Sequence, residues 1–276
     1  MRIGVHLRDS DNRTNIRSIA LRDALEALGH TTITSHRDTP IKGTELVIQT
    51  GFAQTHALLD AIDRRVPYII MEAPYFRGFY EFYEASSWGY NGLAGGSWRP
   101  TPPPSEERAK PMLLPLKTEG GILIVGQKPN DHSLRGSDHG QWLLDRFREF
   151  PTADFRPHPL TVAPGTLEPI DEALRKYKTV ITYTSTMGVD ALQSGSIVRA
   201  DHRGSLCWNV RDRDVFFHDL SWAQASHGDF HRVGAYVLSG YDDARSRAEA
   251  GLVEHPRPKV DGPTICQRYY RALEGV

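Results

Sequence analysis

The residues Thr184, Ser185 and Thr186 place three hydroxyl groups in a row. They follow an apolar run that predicts a strand over 179–183, and a helix is predicted to begin shortly after them. Hydroxyls and backbone N–H groups at the start of a helix suit a phosphate group. Ser and Thr are also common helix caps, so capping alone is the alternative interpretation of this run.

Two residues that follow the hydroxyl run in the sequence belong to the same candidate site. Gly188 allows the backbone to pass close to a ligand. Asp190 falls in the first turn of the predicted helix, where a carboxylate accepts a ribose hydroxyl or merely complements the helix dipole. Both residues are therefore candidate ligand contacts.

His158 stands between Pro157 and Pro159, just after a short strand predicted over 153–156. The two prolines restrict the backbone on both sides and so hold the imidazole in one direction. A ring held in this way can donate a hydrogen bond to a phosphate oxygen. The alternative is an ordinary structural or surface histidine.

A polar, glycine-bearing loop follows the strand predicted over 121–125. Loops at the carboxyl ends of parallel strands hold ligands in α/β folds, and a solvated loop is the alternative. The candidate contacts in this loop are Gln127, Asp131 and Ser133, and the loop also contains Gly126, Arg135 and His139.

Charged residues follow two strands in the first half of the chain. Arg8, Asp9 and Asp11 come after the first strand, and Glu72 comes after the strand predicted over 68–71. Both places face the ligand-binding edge of a parallel sheet, so the carboxylates are candidates for a general base. Surface carboxylates without a function are the alternative.

An aromatic stretch runs from Tyr75 to Trp98 around Arg77. Aromatic faces stack on sugars and on unstacked nucleobases, and a guanidinium plane assists the second. The alternative is a small satellite core in a loop-rich segment. The candidate acceptor contacts from these two regions are Arg8, Tyr75, Phe76, Arg77, Trp88 and Tyr90.

Strands and helices alternate along most of the chain, which predicts a parallel, doubly wound α/β fold. The predicted strands cover 3–7, 31–35, 45–49, 68–71, 121–125, 153–156, 179–183 and 197–200. The predicted helices cover 16–28, 53–62, 141–150, 168–177 and 189–193.

A proline-rich segment separates the two halves, and it predicts an extended linker. The sequence therefore predicts a first Rossmann-like domain over 1–100, a linker over 101–118 and a second Rossmann-like domain over 119–262. A final helix over 263–276 is expected to cross back to the first domain.

The bulk composition limits the possible partners. The net charge of −1 argues against a whole-surface grip on nucleic acid, which needs clustered Lys and Arg. The two cysteines fit a reducing compartment, and no apolar run approaches the roughly 18 residues of a spanning helix. We therefore expect a cytoplasmic protein that does not enter a membrane.

The second half resembles the GT-B-like glycosyltransferases related to bacterial capsule-polysaccharide enzymes and bacterial sialyltransferases. The matching motifs are R-P-H-P over 156–159, T-S-T-M-G-V-D-A-L over 184–192, G-Q with a following D-x-S over 126–133, and W-A-Q over 222–224. The resemblance implies two Rossmann-like domains facing a central cleft.

The resemblance also implies an activity. His158, Ser185 and Thr186 would hold the phosphate of a nucleotide sugar, UDP-sugar in preference to CMP-sugar, without a cofactor or a metal ion. The resemblance does not indicate the base that activates the acceptor; from their placement after strands alone, Glu72 is the first candidate and Asp9 is the second.

The whole chain looks like a phage glycosyltransferase that decorates hydroxymethylated bases in viral DNA. This resemblance implies a DNA acceptor and a place in the host cytoplasm. The alternatives are a saccharide acceptor, a sugar-nucleotide epimerase or hydrolase with the same fold, and a noncatalytic nucleic-acid-binding accessory. The sequence does not indicate the oligomeric state.

Overall fold

In a computed structural model, the chain divides into two compact units. The first unit holds the described residues of Met1–Lys110 and of 214–249, and the second holds those of Pro111–Arg213. The structure describes residues 1–7, 12–36, 39–50, 57, 60–61, 63–72, 75–77, 82–86, 110–129, 134, 137–202, 205–222, 225–226, 234–235, 238 and 241–249.

The first unit begins with alternating strands and a helix. Its elements are β1 (Arg2–Leu7), α1 (Asn12–Ala27), β2 (Thr31–His36), β3 (Leu46–Thr50), β4 (Tyr68–Glu72) and β5 (Phe82–Ser86).

The second unit continues the alternation. Its elements are β6 (Gly121–Val125), α2 (His139–Glu149), β7 (Asp154–Arg156), a 3-10 helix (Pro159–Thr161), α3 (Ile170–Arg175), β8 (Tyr177–Thr182), α4 (Met187–Gln193) and β9 (Ile197–Ala200). The chain then passes through α5 (Arg213–Trp222) to the last described elements of the first unit, β10 (Ala225–Ser226) and α6 (Tyr241–Glu249).

The two sheets share one topology. The first has the order β10-β5-β4-β3-β1-β2, in which β4, β3, β1 and β2 are parallel, β5 is antiparallel to β4, and the edge strand β10 is antiparallel to β5. The second has the order β7-β6-β8-β9 and is parallel throughout. Each sheet starts at a central strand, places its next strand on one side and the following two on the other. The predicted doubly wound α/β fold is confirmed.

Helices cover the second sheet on both faces. One face packs Leu123, Val125 and Val180 against α3 and α4. The other packs Ile124 and Ile181 against Trp142 and Leu143 of α2. Because both faces are buried, these strands are nearly continuous apolar runs, and only the sheet edges remain open to a ligand.

The chain returns to the first unit earlier than the sequence analysis assigns. The described residues of 214–249 belong to the first unit, although they fall within the predicted second domain over 119–262. The physical reason is packing, since Ala244 of α6 lies in the core that Ile3, Val5 and Leu21 form. The crossing helix predicted over 263–276 lies outside the described residues and stays a prediction.

The aromatic stretch contains a strand as well as loop. The sequence analysis treats 75–98 as loop-rich, whereas β5 lies within it and pairs with β4, with Glu84 opposite Glu72. Tyr75 and Phe76 are buried, and the Phe76 ring stacks on Phe217 of α5 at 5.6 Å. These two rings are therefore part of a packed core, which agrees with the alternative of a satellite core, and their contact with an acceptor stays a prediction.

Lys117 fastens the end of the predicted linker to the second unit. Its Nζ donates to the carbonyl oxygens of Leu174 at 2.5 Å and Tyr177 at 3.1 Å, and to Ser196 Oγ at 2.8 Å. Burial lowers the pKa of Lys117. Tyr177 lies at the same edge, where burial and then its hydrogen bond to Asp154 raise its pKa to about 12. This is the amino edge of the sheet, opposite the carboxyl ends of the strands.

Gly195 lets the linker approach the turn between α4 and β9. Its φ of 83° is left-handed, and a Cβ at this position would lie 1.9 Å from the carbonyl oxygen of Pro115. Leu114 and Lys117 hydrogen-bond to the same turn through their backbone N–H groups. Only glycine fits this approach.

No helix in the described part of the chain combines the length and the apolar character that crossing a membrane requires.

We predict that Gly195→Ala destabilises the protein much more than Gly165→Ala. Gly165 has a similar φ of 81° but nothing within 4 Å of its added Cβ, so it isolates the backbone strain. We expect a loss of about 1–2 kcal/mol for Gly165→Ala and about 2–5 kcal/mol for Gly195→Ala, measured by urea unfolding. Equal losses would contradict the close packing of the linker.

Candidate functional site

The candidate site lies at the topological switch point of the second sheet, between β6 and β8. The chain leaves β6 toward α2 on one face and leaves β8 toward α4 on the other, so the two loops diverge at this edge of the sheet. Ligands of open α/β sheets bind at such points, outside the carboxyl ends of the strands.

A double hydrogen bond joins the two diverging loops. The Gln127 Nε2 donates to Thr184 Oγ1 at 2.7 Å, and the Thr184 N–H donates to Gln127 Oε1 at 2.8 Å. Both residues are candidate ligand contacts in the sequence analysis, and both are only 5% exposed. We call this buried Gln127–Thr184 pair the floor of the site. A buried backbone N–H needs an acceptor, and Gln127 provides it.

The hydroxyl run turns into α4 directly above this floor. Ser185 Oγ accepts from the Met187 N–H at 3.2 Å, so this side chain caps the helix and still has its own O–H to donate. Thr186 is exposed and makes no capping hydrogen bond. Helix capping therefore accounts for Ser185. It does not account for Thr186, whose side chain faces solvent.

His158 follows β7, on the far side of β6 from the hydroxyl run. It is half-buried and caps the 3-10 helix, because its Nδ1 accepts from the Leu160 N–H at 3.1 Å. A neutral imidazole that accepts at Nδ1 carries its proton at Nε2. The Leu160 bond therefore holds the ring in place, and the hydrogen bond expected from His158 to a phosphate stays a prediction.

Gly188 and Asp190 occupy the first turn of α4. A Cβ on Gly188 would lie 2.9 Å from the Sγ of Cys207, which is buried. The need for glycine is thus explained by packing of α4 against the segment after β9, and the ligand contact expected of Gly188 is not required to explain it. Asp190 is half-buried in the same turn.

A cluster of rings lies beside the floor, and the sequence analysis does not identify it. His139 stacks on Trp142 at 4.9 Å and 17°, and both meet Tyr183 edge-on. His202, just after β9, lies 5.0 Å from Tyr183. The sequence analysis places His139 in the loop, whereas it is the first residue of α2. Its spacing of three from Trp142 on a helix is the signal that predicts such a pair.

A hydrogen bond and two ion pairs of Asp201 stabilise this ring cluster. Asp201 accepts from Trp142 Nε1 at 2.9 Å and pairs with Arg146 at 3.1 Å and Arg199 at 2.7 Å. The loop after β9 is thereby tied to α2 across the carboxyl edge of the sheet.

The first unit has a switch point of its own, between β1 and β3. His6 and Gln49, each 1% exposed, lie near the carboxyl ends of these strands, and His6 is in register with Ser35 of β2. Burying polar side chains in a sheet core costs free energy. These side chains therefore make the carboxyl edge of the first sheet polar. In the sequence, only the position of these residues near the ends of predicted strands indicates this polar edge.

The structure leaves several predicted site residues without a description. Glu72 ends β4, but its side chain is not among the described parts, and Arg77 is exposed. The predicted site residues outside the described residues are Arg8, Asp9, Asp11, Trp88, Tyr90, Asp131 and Ser133.

Solved structures share this architecture. The chain is similar to the beta Kdo 2,7 transferase of Thermosulfurimonas dismutans KpsC at 12% identity and a TM-score of 0.51, over 89% of this chain and 98% of that chain. The chain has a GT-B-like fold. The beta Kdo 2,4 transferase of the same KpsC matches at 14% identity and a TM-score of 0.45, over 72% of this chain and 78% of that chain. No family model and no curated protein matches the chain.

The glycosyltransferase SnogD from Streptomyces nogalater is a weaker likeness. It matches at 12% identity and a TM-score of 0.24, over 99% of this chain and 100% of that chain. At 12% identity, the match to the beta Kdo 2,7 transferase shows the fold of the chain and not its substrates.

We predict that Gly188→Ala destabilises this GT-B-like chain by about 1–3 kcal/mol, the usual cost of overpacking. Cys207→Ala in the same chain removes the Sγ atom that the new methyl group would meet. We therefore expect the double variant to be more stable than Gly188→Ala alone, measured by urea unfolding. Additive losses would show that Cys207 is not the obstacle.

Proposed function

We propose that the protein is a glycosyltransferase that moves a sugar from a nucleotide-sugar donor to a hydroxyl acceptor. The observation that carries this proposal is the Gln127–Thr184 pair, which forms a rigid floor at the switch point of the second sheet. Hydrogen-bond donors stand on both sides of that floor, as binding of a phosphate requires.

The spacing of the strands suits a nucleotide sugar. β7 and β8 flank β6, and neighbouring strands lie about 4.8 Å apart, so His158 and the hydroxyl run start roughly 10 Å from each other. A phosphate that lies across the end of β6 is within reach of the His158 Nε2–H on one side. The Ser185 and Thr186 hydroxyls approach it from the other.

The chemistry places its largest demand on the leaving group. Negative charge builds on the departing phosphate when the acceptor oxygen attacks the anomeric carbon, and fixed donors stabilise that charge without reorganising. We assign this role to His158, Ser185 and Thr186. Glu72 stays our first candidate for the base and Asp9 the second, and we propose that transfer proceeds without a metal ion.

The acceptor we favour is a saccharide. The similar KpsC domain is a beta Kdo 2,7 transferase, which supports this class over DNA. The near-neutral net charge also gives little help in binding a polyanion. Hydroxymethylated DNA stays a second acceptor to be tested.

Labelled donors test the activity and separate the alternatives. Purified protein is incubated with radiolabelled UDP-sugars and CMP-sugars and with oligosaccharide, hydroxymethylcytosine DNA or no acceptor. We expect label in the oligosaccharide, unchanged by a chelator. Label in DNA would reverse the choice of acceptor. Free sugar formed equally without any acceptor would indicate a hydrolase, and an isomerised nucleotide sugar an epimerase.

We predict that His158→Asn lowers kcat by about two to three orders of magnitude, the usual loss for one leaving-group donor. Asn can keep the cap on Leu160 because its side-chain oxygen takes the place of Nδ1, but it has no donor where Nε2 stood. The melting temperature should therefore change little. His218→Ala, at an exposed histidine, is the control. A fully active His158→Asn enzyme would remove His158 from the site.

A further inference from the structure

We propose that His139 is a positioning residue for the donor site, acting through Gln127 on Thr184. The inference rests on the proposed function, because it assigns a role within the same site. His139 is the first residue of α2, is 1% exposed and lies beside the floor of the site.

The imidazole of His139 accepts a hydrogen bond from the Gln127 N–H, which lies beyond the last strand pairing of β6. The Gly126 N–H makes the last strand-like bond, to the Arg156 carbonyl at 2.9 Å. The next N–H, that of Gln127, donates to His139 Nε2 at 3.3 Å. A buried N–H needs such an acceptor, and the imidazole of His139 provides one for the Gln127 N–H. The Nε2 atom must be unprotonated to accept, so the neutral ring carries its proton at Nδ1.

Packing fixes the ring in the orientation that accepts. His139 lies nearly parallel to Trp142 at 4.9 Å, and Tyr183 meets it edge-on at 5.9 Å. Trp142 is itself held by its hydrogen bond to Asp201. The imidazole cannot turn away without breaking these contacts.

The effect of His139 reaches the hydroxyl run through one more residue. The Gln127 backbone is held by His139, and the Gln127 side chain holds both the N–H and the hydroxyl of Thr184. Thr184 is followed directly by Ser185 and Thr186. If the acceptor is lost, the Gln127 peptide is free to rotate and its amide no longer aims at Thr184.

Two substitutions separate the acceptor from the ring. His139→Gln keeps an acceptor near the position of Nε2 but loses the flat ring, and His139→Phe keeps the ring but has no acceptor. We expect the Kd for UDP or CMP to rise about tenfold in His139→Phe, the loss of roughly one hydrogen bond, and to stay near that of the wild type in His139→Gln. Isothermal titration gives the Kd, and the melting temperature checks that each variant folds.

The reverse pattern, or equal losses in both variants, would overturn the inference and leave the proposed function standing. Failure of the wild-type protein to bind any nucleotide would overturn both. A measurement on the wild type needs no variant: the ¹⁵N resonances of His139 should show an unprotonated Nε2 and a protonated Nδ1. The opposite assignment would refute the positioning role even if the variants do not fold.

Discussion

The site depends on the side-chain amide of Gln127, which joins the loops after β6 and β8 where the backbone pairing of these strands has ended. The pairing of β6 with β8 stops at Val125 and Thr182, and the chain then turns to opposite faces. Gln127 spans the gap, because its amide offers both a donor and an acceptor, as a peptide group does. Without it the buried N–H of Thr184 loses this acceptor, at a cost of about 1–3 kcal/mol, and the two loops lose the hydrogen bonds that join them.

Packing on both faces of the second sheet confines the candidate site to the edge that Gln127 braces. Helices cover both faces of the second sheet, so no ligand can reach the strands from above or below. The amino edge is occupied by the linker and by Lys117. The carboxyl edge is left, and there the chain places its half-buried polar side chains, with His158, Ser185 and Asp190 among them.

Most of the fold could be predicted from the sequence because the parallel strands are short, uniform apolar runs. β6 and β9 have the predicted bounds, 121–125 and 197–200. The helix predicted over 168–177 is too long, since Tyr177 fits either element and tertiary pairing with Gly121 makes it the start of β8. Strand β5 is absent from the prediction because the glycines that follow it favour a loop, whereas pairing with β4 decides.

The site could be predicted only in part, for a physical reason. The hydroxyl run and His158 follow strands directly, so the strand-end rule finds them. The Gln127–Thr184 bond joins residues 57 apart in the chain, and nothing in either segment indicates the other. The sequence likewise identifies histidines but not their tautomers. Each ring accepts a backbone N–H at one nitrogen, His158 at Nδ1 and His139 at Nε2, so in the neutral form each would carry its proton on the other nitrogen. In the function we propose, the two rings have different roles at one edge of the sheet: His158 donates toward a ligand, whereas the buried Nε2 of His139 accepts from the backbone N–H of Gln127.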